Sequence, residues 1–160
     1  MRSYQVFAAM TPQRAAQVMK ALAAETPSIF AAAVQAAGEV LKTRPAYLKR
    51  QPFEKRAEAV RRCLARVSAN DLAEEVLAAY FLDCRKDLLI EWLETTGIEH
   101  QDGTLINDAP SPPPEAELKQ ATSSFRETGG DPDRDLLLRA FAAQGAIEWP
   151  ALEALLEEGP

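Results

Sequence analysis

Alanine and leucine, 29 and 18 of them, outnumber valine and isoleucine, 12 together, by almost four to one. Ala and Leu surrender little side-chain entropy in a helix, and the β-branched residues that suit pleated sheets are scarce. With 160 residues, 47% of them hydrophobic and 26% charged, the chain has enough apolar surface to bury a core. The expectation is an all-α protein: a helical bundle of about seven to eight helices with at most one small β-hairpin near 98–106.

Local signals set the boundaries. Thr11-Pro12 and Thr26-Pro27 each offer a capping hydroxyl followed by proline at the first helical position. They predict two helices, one with Ala15, Val18, Met19 and Leu22 at helical spacing, the other with Ile29, Ala33, Ala36 and Val40 beside Phe30, Val34, Ala37 and Leu41. Arg44-Pro45 and Gln51-Pro52 leave room only for a short helix or turn between them. A longer helix is expected over 52–67, with Phe53, Val60, Leu64 and Val67 as its apolar face. Ser68 with Asp71 reads as a variant capping box that opens a helical stretch to Thr96. That stretch should break near Asp83–Asp87, because its apolar side swings by about 120° between Leu72-Val76-Leu77-Tyr80 and Leu88-Leu89-Trp92-Leu93. Asp102-Gly103 suits a tight hairpin turn.

Asn107–Pro114 carries four prolines in its last five positions and can continue neither helix nor sheet. It reads as an extended linker. The expected organisation is therefore a main helical bundle over 1–106, a Pro-rich linker over 107–114 and a small C-terminal helical subdomain over 115–160. In that subdomain Gly129-Gly130 and Gly145 should stop helices that begin near Glu115 and Asp131-Pro132, and Pro150–Glu158 should form the last one. The Pro110-x-x-Pro113 spacing also fits a ligand for an aromatic groove, but no basic flank accompanies it.

The longest run free of charge, Thr26–Gly38, spans 13 residues, short of the roughly 20 that cross a bilayer. The apolar run after Arg2 is too brief for a secretory signal, so a cytoplasmic location without membrane contact is expected. Cys63 and Cys84 have no C-x-x-C spacing and read as two buried thiols in a reducing compartment.

Residues able to carry catalysis are few: one His, two Cys and seven Gly. No Walker-type or dinucleotide-binding glycine pattern occurs, so no nucleotide cofactor is indicated. His100 lies among Glu99, Asp102 and Asp108, and Asp83, Asp87, Glu91 and Glu94 follow helical spacing. These are the candidates for an acid/base pair or a metal site, yet neither group matches a metal-ligand motif. A turn histidine and a solvated charge row are the simpler readings, and no catalytic residue, metal ligand or cofactor is assigned.

Charge placement says more. The net charge of −6 conceals +1 over residues 1–41, +7 over 42–66 and −14 over 67–160. On the expected 52–67 helix, Lys55, Arg62 and Arg66 fall within about 40° of one another, opposite the apolar face. Such a stripe is neutralised by the chain's own acidic half, or docks an acidic protein, or contacts nucleic acid. The acidic remainder is expected to repel phosphate, with no aromatic residues interleaving with the basic ones for base stacking. The opposite face lacks the large apolar residues that a membrane-surface helix needs.

The reading is a non-catalytic, adaptor-like protein that docks an acidic protein partner through Lys55, Arg62 and Arg66. Nucleic-acid binding by the basic 42–66 segment is the alternative, and an enzyme or metal-binding protein using His100 or the 83–94 carboxylates is a further one. Homo-oligomer formation is compatible with such charged faces.

Overall fold

Thr11 caps a helix as its position predicts: its hydroxyl accepts the Arg14 N–H at 3.2 Å and Pro12 occupies the first turn. The helix that follows belongs to a computed structural model that describes residues 1–157. Among these residues there are ten α-helices and one two-stranded hairpin, so the protein is all-α with a small β-hairpin. No described helix is long and apolar enough to cross a membrane. The chain divides into two compact units, Ser3–Cys84 and Met1–Arg2 with Arg85 onward. The division falls at Cys84–Arg85, and the Pro-rich stretch 107–114 lies inside the second unit.

The first unit contains α1 (Ser3–Ala9), α2 (Pro12–Glu25), α3 (Pro27–Val40), α4 (Pro45–Lys49), α5 (Phe53–Leu64) and α6 (Asn70–Ala79). A 3-10 turn (Val67–Ala69) precedes α6 and a π turn (Tyr80–Cys84) follows it. Helix α5 packs on α1, α2 and α3, and α1 packs on α6, so α5 is covered along one side. Phe7, Met19, Leu22, Leu64 and Leu77 are fully buried there. At about 2 kcal/mol for each large side chain taken from water, these five contribute on the order of 10 kcal/mol before chain entropy is subtracted.

Several expected boundaries move. Helix α1 was not among the expected elements, yet Val6 and Phe7 on its seven residues are buried; packing stabilises a helix too short to stand alone. A single residue, Thr26, separates α2 from α3. Its hydroxyl donates back to the Leu22 carbonyl at 3.3 Å and so closes α2 instead of capping α3. Helix α5 stops at Leu64, and Val67, expected on the apolar face, is 71% exposed. Ser68 makes no cap for α6, which begins at Asn70 after the 3-10 turn.

The second unit contains α7 (Lys86–Thr95), the hairpin strands β1 (His100–Gln101) and β2 (Thr104–Leu105), α8 (Glu115–Glu127), α9 (Pro132–Ala142) and α10 (Pro150–Glu157). Glu158, placed in the last helix by the sequence, lies outside the described residues. Gly97 at φ 68° closes the last turn of α7, and Asp102 and Gly103, both at positive φ, make the hairpin turn. Asp131 caps α9 through the Asp133 N–H at 2.9 Å, and α9 ends at Ala142, short of Gly145. An aromatic chain forms the core: Trp92 lies 5.3 Å from Phe125 and 6.1 Å from Phe141, which lies 5.3 Å from Trp149. The Trp149 indole donates to the Pro110 carbonyl at 2.8 Å, tying the Pro-rich stretch to this core.

Candidate docking surface

The basic segment begins where α3 ends. Lys42 takes a left-handed conformation, φ 54°, and the Thr43 N–H returns to the Gly38 carbonyl at 2.8 Å. Arg44 then precedes Pro45, whose fixed φ starts α4, and Pro52 precedes α5 in the same way. The two prolines thus place three short pieces, 42–44, α4 and α5, in succession. Seven of the nine Lys and Arg residues of 42–66 are exposed, and Arg56 and Arg61 are half-buried.

The three residues singled out from the sequence are all exposed. Lys55 and Arg62 share one side of α5. Arg66 does not extend their row as helix, because it lies past Leu64 on extended backbone, φ −97° and ψ 142°. None of the three forms an ion pair or a hydrogen bond through its side chain among the described residues.

Arg61 and Arg56 differ from that group in opposite ways. Arg61 Nε and Nη2 each donate to the Glu58 carboxylate at 2.8 Å, and Nη1 reaches the Met10 carbonyl at 3.4 Å. The Arg61 hydrogen bond holds the Glu58 carboxyl below its ordinary range. Arg56 instead lies over aromatic rings: its guanidinium carbon is 5.7 Å from the centroids of both Phe30 and Phe53, which are 5.6 Å apart. Its Nε is buried and has no acceptor. Tyr47 is 60% exposed and lies in sequence between Arg44 and Lys49-Arg50, so α4 too carries an aromatic residue within the basic segment.

The second unit handles its cations otherwise. Arg85 contacts Asp87 at 3.3 Å, Asp131 at 2.7 Å and also Asp133, while Lys86 pairs with Asp102 at 2.8 Å. Arg126 and Arg139 share Asp135, at 3.0 and 2.6 Å. Arg134 meets Glu91 through both terminal nitrogens at 2.8 Å, and that hydrogen bond raises its pKa against the cost of burial. Of the six Lys and Arg residues from 85 onward, Lys119 alone has no ion pair among the described residues. In 42–66 the proportions are reversed, with Arg61 the one cation of nine that is paired among the described residues.

The other candidates do not converge. His100 is half-buried in the hairpin, and its Nδ1 accepts the Gly103 N–H at 3.2 Å, while Asp102 is engaged by Lys86. Of the 83–94 row, Asp87 and Glu91 bind Arg85 and Arg134, and Asp83 and Glu94 are exposed. Among the described residues, no group of three or more His, Cys, Asp or Glu is placed to hold a metal ion. Cys63 is buried, Cys84 half-buried, and both thiols are free; burial pushes each thiol pKa up, away from the reactive thiolate. Comparison with known proteins finds no matching family, no similar curated protein and no similar solved structure.

Proposed function

We propose that this protein is a non-catalytic docking protein whose first unit binds an acidic protein surface through the basic face of 42–66, Lys55, Arg62 and Arg66 included. One observation carries the reading: eight of the nine cations of 42–66 have no ion pair among the described residues, in a chain that pairs nearly every cation after residue 84. An exposed charge with no partner in its own chain keeps its field for another molecule, steering encounter and fixing orientation. The two free thiols, one buried and one half-buried, fit a reducing compartment, and we place the protein in the cytoplasm on that basis.

The test is binding of the full-length chain to poly-L-glutamate at low ionic strength. Reversing Lys55, Arg62 and Arg66 to Glu together should weaken binding by about tenfold to a hundredfold, since each exposed pair is worth up to about 1 kcal/mol. Helicity should be unchanged. Equal affinity in the reversed variant would reject the stripe as the contact.

Tyr47 favours a second reading. An exposed ring with the exposed cations Arg44, Lys49 and Arg50 within three residues of it in the sequence is the residue combination that single-stranded nucleic acid uses for stacking and phosphate contact. Oligothymidylate in place of poly-L-glutamate separates the two: tight, steeply salt-dependent binding lost in Tyr47→Ala would favour nucleic acid.

A further inference from the structure

We propose that Arg56 is the anchor of the basic face: its guanidinium receives, end-on through Nη1 and Nη2, the carboxylate of an Asp or Glu side chain on the acidic partner. The inference rests on the docking reading above and names the contact that gives it specificity.

The chain contains the finished version of this arrangement. Arg134 lies on an aromatic ring, its guanidinium carbon 4.6 Å from the Phe125 centroid, with Nε buried and without an acceptor. Its two terminal nitrogens grip the two oxygens of Glu91, each at 2.8 Å. Arg56 repeats the first half of that description. It lies on Phe30 and Phe53, and its Nε too is buried without an acceptor. Where Arg134 has Glu91, the Arg56 side chain has no hydrogen bond and no ion pair among the described residues.

Its own helix cannot supply the carboxylate. At about 100° per residue, Glu54 and Glu58 both lie about 160° round α5 from Arg56, and Glu58 is taken by Arg61. Lys55 and Arg62 lie about 100–120° from it, so the positive side of α5 runs on to Arg56 at the edge of the apolar face. Aromatic rings hold the guanidinium in place, so less side-chain freedom is lost on binding, and they exclude water from one face of the bond. The planar fork matches a planar carboxylate in two parallel hydrogen bonds. An ammonium is a point charge and offers no such match. The exposed cations therefore attract a negative surface from a distance, and Arg56 holds one carboxylate of it.

The deciding variant is Arg56→Lys, which keeps the charge and removes the fork. In the full-length chain, affinity for poly-L-glutamate should fall about tenfold, while Lys119→Arg, at an exposed cation outside the basic face, leaves it unchanged. A second readout needs no variant: the side-chain Nε–Hε resonance of Arg56 should shift as poly-L-glutamate is added to the native protein. If Arg56→Lys binds as the native chain does, or the resonance does not move while binding occurs, the anchor is overturned and the docking reading stands. If the native chain does not bind poly-L-glutamate, both fall. Binding of oligothymidylate in its place would overturn both in favour of the nucleic-acid reading.

Discussion

A methyl group on Gly38 would lie 2.9 Å from Pro45 Cγ and 3.0 Å from both Pro45 Cα and the Thr43 carbonyl. Two of these three neighbours are backbone, so they do not swing aside. Alanine is the better helix former by about 1 kcal/mol, but overpacking costs about 1–3 kcal/mol, and here the second effect wins. Gly38→Ala should therefore lower stability by about 1–2 kcal/mol, read as a lower denaturation midpoint; a gain would mean that α3 and α4 separate easily. In the sequence Gly38 closes an Ala-rich run and nothing marks it as a point of close approach, because the chain that meets it turns back only through Lys42 and Thr43. Arg56 was equally hidden. Its spacing from Phe53 sets it beside the apolar face, but Phe30, the other half of its aromatic seat, lies on a different helix. The exposure of Lys55 and Arg62, by contrast, follows from periodicity on one helix, and so it was legible.

Helix ends make a sharper comparison, since two Thr-Pro pairs with the same signature behave differently. The Thr11 hydroxyl accepts the Arg14 N–H, whereas the Thr26 hydroxyl is turned toward Leu22 and α3 starts without a side-chain cap. Thr11→Ala should cost about 1 kcal/mol, and Thr26→Ala about half that or less, in paired denaturation curves. Equal losses would show that the cap bond is not what distinguishes the two positions. Caps, prolines and positive-φ turns were readable because each acts on its immediate neighbours. The break after the first apolar cluster of 72–93 was readable too, and the structure resolves it as a π turn and a fresh start at Lys86. What could not be read was whatever depends on a distant partner. Helix α1 exists because Val6 and Phe7 find cover, and α5 ends three residues early while Val67 faces solvent.

Over the whole molecule the sequence shows two blocks of charge, and the structure adds which of them are paired. The first unit carries 11 Lys and Arg against 8 Asp and Glu, the second 7 against 16. Exposed, unpaired charges of like sign repel within each unit, so salt should act on folding and on binding in opposite directions. Raising sodium chloride from low to physiological strength is expected to raise the melting temperature by about 1–3 °C while affinity for poly-L-glutamate falls. Melting that drops with salt would mean that the ion pairs outweigh the repulsion. The division at Cys84–Arg85 was not legible, because a proline run marks where regular structure stops, whereas a boundary between units marks where packing stops. The same prolines have another effect. At 110, 112, 113 and 114 the backbone has no amide hydrogen to offer, so the stretch after β2 cannot serve as a template for a third strand. Growth of a ribbon from a hairpin bordered by the exposed Ile106 is checked on that side by the chain itself.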